Sequence, residues 1–187
     1  MFADISIYSR KMRTTIILLA LLFHSLGNAQ VGETFPELEG ETLSEEHYNL
    51  PEDTKGKYTL LGMAYSKKAE PLLKTWFQPA YNKFIAKTGM FDQFYDVNIL
   101  FIPMFVGVNQ TAHKGNMKKM REKENKDLFP HILYFKGKLE PYKESLGMDR
   151  KDLPYFYVLD KDGKIIYFTT GRFTEEKMEA IEALLEE

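Results

Sequence analysis

Cysteine is absent from all 187 residues, which excludes disulfides and every reaction that needs a thiolate nucleophile. Stability must therefore come from a packed core, which a chain of this length can supply. No run of apolar residues reaches the ~20 needed to span a bilayer as a helix: Ile16 to Phe23 is roughly half of that. An excess of positive charge is also missing. The formal net charge is −2, and removing residues 1–29, which hold Arg10, Lys11, Arg13 and Asp4, moves it to −4. Such a mildly acidic surface of mixed sign lacks the counterion-release footprint of a nucleic-acid binder.

What is present begins with a secretory signal. Arg10, Lys11 and Arg13 precede the short apolar run, and Gly27 and Ala29 place small side chains at −3 and −1 of a cleavage site after Ala29. A signal starting at Met12 has more usual proportions, and the competing reading is an uncleaved anchor. No lipoprotein cysteine follows. The sequence therefore predicts residues 1–29 as signal peptide and 30–187 as one exported domain, periplasmic or extracellular, with no stable membrane insertion after cleavage.

From Gln30 to Lys57 the chain is polar and punctuated by Pro36, Gly40, Pro51 and Gly56, the mark of short extended pieces and turns. Tyr58 to Tyr65 is apolar between turn signals and reads as a buried strand. Leu72, Leu73, Trp76, Phe77, Ala80, Phe84 and Ile85 then recur at helical spacing, and Pro79 inside that pattern predicts a kink. Val97 to Val108 is strongly apolar, too hydrophobic for a surface strand, and reads as a strand covered on both faces. Pro103 predicts that it is broken or ends there. Thr111 to Lys126 reads as a charged helix, Ile132 to Phe135 as a short strand and Leu139 to Leu146 as a short helix. Tyr155–Leu159, the turn Asp160–Gly163 and Lys164–Phe168 form a hairpin. Thr174 is placed to cap a terminal helix whose buried face carries Met178, Ile181 and Leu185.

The run from Leu153-Pro154-Tyr155 to Gly163-Lys164-Ile165 resembles the stretch that opens with a cis-proline beside the active site in thioredoxin-like proteins. Gly62-Met63-Ala64-Tyr65-Ser66-Lys67-Lys68-Ala69-Glu70 is similar to the strand end and helix start that carry their C-x-x-C pair, with Ser66 and Ala69 where the cysteines would stand. Thr34-Phe35-Pro36-Glu37-Leu38 and Trp76-Phe77-Gln78-Pro79 also look like thioredoxin-like assembly factors of the mitochondrial ATP synthase. The resemblance spans roughly Val31 to Glu187 and implies an α/β, thioredoxin-like fold: a central mixed sheet flanked by helices.

A serine hydroxyl ionises too weakly to replace a thiolate in disulfide exchange. The resemblance thus implies a protein-binding or chaperone-like module, not an enzyme, with no cofactor and a protein or peptide as partner. The candidate surface is the vestigial active site of Tyr65, Ser66, Lys67, Lys68, Ala69, Leu153 and Pro154, with the Leu153–Pro154 bond expected to be cis. The ordinary reading is that Ser66 merely caps the helix and both lysines are solvated. A Ser66–Lys67 nucleophile lacks a third group.

The alternative from another class is copper handling. His113, Met117 and Met120 share one helix face, and an imidazole with two thioethers suits Cu(I). With nine methionines in the chain, core filling is the plainer account. His47 and His131 support no metal spacing. Asp160-Lys161-Asp162-Gly163 resembles a calcium loop, but the twelfth position, where such a loop needs a bidentate carboxylate, holds Gly171.

Overall fold

Four strands rich in aliphatic and aromatic residues have too few polar positions to face water, and the chain buries them at the centre of one sheet. The computed structural model describes residues 30–107 and 113–186, except the side chains of His113 and Lys114. The predicted signal peptide lies outside the described residues. The strands are β1 Leu38–Thr42, β2 His47–Leu50, β3 Tyr58–Ala64, β4 Val97–Val106, β5 Leu133–Gly137, β6 Tyr155–Leu159 and β7 Ile165–Thr170. They form a seven-stranded sheet in the order β2-β1-β5-β4-β3-β6-β7. β3, β4 and β5 run parallel, and the other pairings are antiparallel. The sheet is mixed and flanked by helices, as the thioredoxin-like resemblance implies.

Alternation along β4 divides the core. Ile99 and Phe101 join Leu60, Trp76, Phe77, Phe156 and Ile181 on one face, whereas Leu100 and Ile102 join Phe35, Leu50, Leu61 and Tyr157 on the other. Both faces are thus covered, which accounts for the apolar run from Ile99 to Val106. Gly62 makes this packing possible: a Cβ there would stand 2.7 Å from the Phe156 ring and 3.1 Å from both Leu73 and Phe101.

The helix expected after β3 is not continuous. It consists of α1 Glu70–Lys74, α2 Phe77–Ala80 and a wider turn over Tyr81–Ile85. Pro79 has no N–H to offer the carbonyl a turn back, and the preceding turn tightens so that Thr75 and Trp76 donate to the Leu72 and Leu73 carbonyls instead. Pro103, in contrast, does not end its strand. It faces Ala64, the last residue of β3, where the ladder runs out and a missing donor costs little; β4 continues to Val106 beside β5.

The remaining helices are α3 His113–Lys123, α4 Glu140–Leu146 and α5 Glu175–Leu185. Thr174 caps α5 as predicted, its hydroxyl accepting from the Lys177 amide at 3.4 Å. The Asp160 carboxylate closes the β6–β7 turn by accepting from the amides of Asp162 and Lys164 at 2.9 and 2.8 Å, so those acidic groups organise a hairpin. At the outer edge of the sheet Lys177 Nζ donates to the carbonyls of Thr170 and Arg172 at 2.7 and 2.8 Å. That cation blunts an edge whose strand carries no charge of its own.

Candidate functional site

β3 delivers Tyr65 to the top of the sheet, and the chain then turns into α1. Ser66 organises this turn. Its hydroxyl accepts from the amides of Lys68 and Ala69, each at 3.2 Å, and its carbonyl takes the amides of Ala69 and Glu70 at 3.1 and 3.2 Å. The same hydroxyl donates to the Lys151 carbonyl, joining two segments 85 residues apart. Ser66 is therefore a cap and a clasp: it satisfies the start of the helical segment and ties it to the loop before Pro154.

That loop is pinned from beneath by three tyrosines. Tyr65 donates to the Met148 carbonyl at 2.9 Å, Tyr155 to that of Arg150 at 3.1 Å, and Tyr157 to that of Leu146 at 3.0 Å. The amide of Arg150 also donates to the Tyr155 hydroxyl, at 2.5 Å. Burial pushes the Tyr65 phenol up to about 12 and raises Tyr155 and Tyr157 as well, so all three remain neutral donors. Sequence reasoning missed these contacts. The available signal was Tyr155 and Tyr157 inside a strand buried on both faces, where each phenol needs a partner.

The two segments singled out by the sequence do meet, but not around a cis-proline. The cis peptide among the described residues is Leu50–Pro51, and the Leu153–Pro154 bond is trans. The physical reason lies in what holds each end of the loop. Pro154 is buried, and its carbonyl accepts from the Gly171 amide at 2.9 Å, extending the β6–β7 pairing. Lys151, three residues earlier, makes the approach to the helical turn.

The candidate residues divide by exposure. Tyr65, Ala69 and Pro154 are buried, Ser66 and Leu153 half-buried, and Lys67 and Lys68 exposed. Ala69, at 1% exposure, belongs to the core beneath the turn. The hollow beside Tyr65, Ser66 and Lys67 has a volume of about 40 Å³ and opens toward Pro103 and Phe105, not toward Leu153 and Pro154. That is far below the ~300 Å³ at which cofactor pockets begin. Charges at the rim are mixed. Arg150 hydrogen-bonds Asp152 at 2.9 Å and, with the nearby Lys68, holds that carboxyl below its ordinary value.

Met117 and Met120 are each 8% exposed and belong to the helix-covered core, and Lys74 Nζ donates to the Met120 sulfur at 3.5 Å. They pack as core methionines do. The His113 side chain lies outside the described residues. His131 presents Nδ1 to the Ile99 carbonyl at 3.0 Å, and burial lowers its pKa. Among the described residues no group of three or more His, Cys, Asp or Glu side chains could hold a metal ion, and no helix is long and apolar enough to cross a membrane.

A family model described as ATP10 protein matches residues 24–187. No curated protein matches the chain. Solved structures share the fold at low identity. A structure described as a thiol-disulfide oxidoreductase from Bacteroides vulgatus is 17% identical with a TM-score of 0.57, covering 85% of this chain and 99% of that one. The C-terminal domain of a thiol-disulfide oxidoreductase from Bacteroides thetaiotaomicron is 16% identical with a TM-score of 0.54, covering 86% and 99%. The exposed lipoprotein thioredoxin of Streptococcus pneumoniae is 15% identical with a TM-score of 0.53, covering 81% and 100%. At these identities the likeness is one of fold, and the chain is thioredoxin-like in architecture while holding no cysteine.

Proposed function

The chain belongs to the ATP10 protein family, and from that premise we propose that it works as an exported, redox-inactive thioredoxin-like module that binds protein partners during assembly of the ATP synthase. The observation that carries this reading is the Ser66 clasp. Where the resemblance places the first cysteine of a reactive pair, a hydroxyl is held by two amides and a carbonyl. A group so engaged orders the local backbone, and it has neither the acidity nor the freedom to act as a nucleophile. The amides of Lys68, Ala69 and Glu70 are taken up by Ser66, so we infer that the partner is met mainly by side chains. Lys67 and Lys68 are the exposed cations there, and they suit an acidic or extended segment.

The test is capture from the envelope fraction with the exported chain as bait, followed by reversal of charge through Lys67→Glu with Lys68→Glu. Both sites are exposed, so folding should change by less than ~0.5 kcal/mol. Partner capture at low salt, where screening is weakest, should fall sharply. Equal capture by the variant would move the partner away from this surface, and turnover of a disulfide substrate by the unmodified chain would defeat the non-catalytic assignment.

A further inference from the structure

Among the described residues, the strongest apolar exposure lies at the pole opposite the Ser66 clasp. Met90, Phe91 and Phe94 are 83%, 70% and 82% exposed. They sit in the connection that enters β4. Tyr58 of β3 pairs with Val97 of β4 in a parallel ladder, which puts this connection at the N-terminal end of the central strands. Ser66 follows their other end, roughly 20 Å away along a seven-residue strand.

The segment that carries these side chains is built, not loose. Asp92, only 4% exposed, accepts from the Gly89 amide at 2.6 Å and pairs with Lys83 at 3.2 Å. A Cβ at Gly89 would collide with the Asp92 carboxylate at 2.7 Å, so glycine permits the closure. The amides of Phe94 and Tyr95 donate to the carbonyls of Phe91 and Asp92, both at 3.2 Å. Tyr95 packs edge-on against Phe84 with ring centroids 5.5 Å apart. A buried carboxylate thus holds a turn whose large side chains point away from the core.

We propose that this tip is a peripheral membrane contact, with Met90, Phe91 and Phe94 entering the interfacial region of a zwitterionic bilayer. Area separates this occupant from a protein. Three such side chains offer roughly 450 Å² of apolar surface, about half of the ~800 Å² that each partner buries in a standard protein interface. The shape agrees, since three adjacent side chains exposed by at least 70% form a protrusion that a deformable lipid surface accommodates without a matching cavity. Charge selects the lipid class. Lys83 bridges Asp92 and Glu182, and Lys57 pairs with Asp96 at 2.8 Å; Lys87 is one further cation beside the tip, too few to select an anionic headgroup, which takes a cluster of basic residues.

The absence of cysteine makes the test direct. Met90→Cys in the full chain creates a single site for an environment-sensitive fluorophore, and Lys151→Cys places the same probe beside the clasp. With phosphatidylcholine vesicles the probe at 90 should shift to shorter wavelength and be quenched by nitroxide lipids, while the probe at 151 should not respond. Adding Phe91→Ser and Phe94→Ser to the Met90→Cys chain should weaken vesicle partitioning by at least about tenfold, with the circular dichroism spectrum unchanged. No response at 90 under saturating lipid overturns the proposal. An equal response at both positions does so too, and a shift at 90 that follows protein concentration without lipid assigns the tip to a second copy of the chain.

Discussion

Ser66→Ala removes one oxygen and three hydrogen bonds, and their environments determine the cost. Two of the bonds come from the amides of Lys68 and Ala69, the work of a helix-capping serine, whose loss typically costs ~1 kcal/mol. The third goes to the Lys151 carbonyl on an exposed residue, where water can replace the lost donor, leaving a net loss of about 0.5–1.5 kcal/mol. The expected destabilisation is therefore about 2 kcal/mol. For a chain of this size that corresponds to a Tm lower by about 4–8 °C. Urea unfolding followed by circular dichroism should show a lower midpoint with an unchanged slope, because the surface exposed on unfolding is the same. Ser66→Thr, which keeps the hydroxyl, should recover most of the loss. A Ser66→Ala variant within ~0.5 kcal/mol of the parent would mean that the clasp contributes no stability, and that the loop before Pro154 is held by the tyrosines alone.

Gly62→Ala should destabilise by about 1–3 kcal/mol through overpacking, because its new methyl meets the Phe156 ring at 2.7 Å with Leu73 and Phe101 close behind; a neutral result by chemical denaturation would contradict that packing. Burial holds the folded pKa of His131 below the ordinary histidine value of about 6.5. The unfolded chain therefore takes up the proton first as pH falls, so this contribution to stability is full above pH ~6.5 and is lost as pH drops through the folded pKa. His131→Gln should flatten that slope, and an identical pH profile for both chains would assign the dependence to other groups. N-terminal sequencing of exported protein should begin at Gln30, and retention of the segment from Met12 to Phe23 in the membrane would refute cleavage after Ala29.

Local chemistry was enough to read much of this protein. Apolar runs bounded by turn residues marked β3 and the β6–β7 hairpin, Thr174 marked the start of α5, and Pro79 marked the break between α1 and α2, because each signal is local in the chain. The absence of cysteine ruled out thiol chemistry with no reference to shape. Tertiary structure decided the rest. A serine at a helical turn looks the same in sequence whether or not a carbonyl 85 residues away accepts its hydrogen bond. Likewise, nothing adjacent to Leu153 reveals that the Gly171 amide claims the Pro154 carbonyl while Lys151 makes the approach expected of a cis-proline. Pro103 stayed inside β4 because β3 ends beside it, a fact about a neighbouring strand. Met90, Phe91 and Phe94 look like core residues by composition and stand in solvent because Asp92 takes the buried position of their turn. In each case a hydrogen bond or packing partner distant in sequence chose among conformations that local propensity left nearly equal in energy.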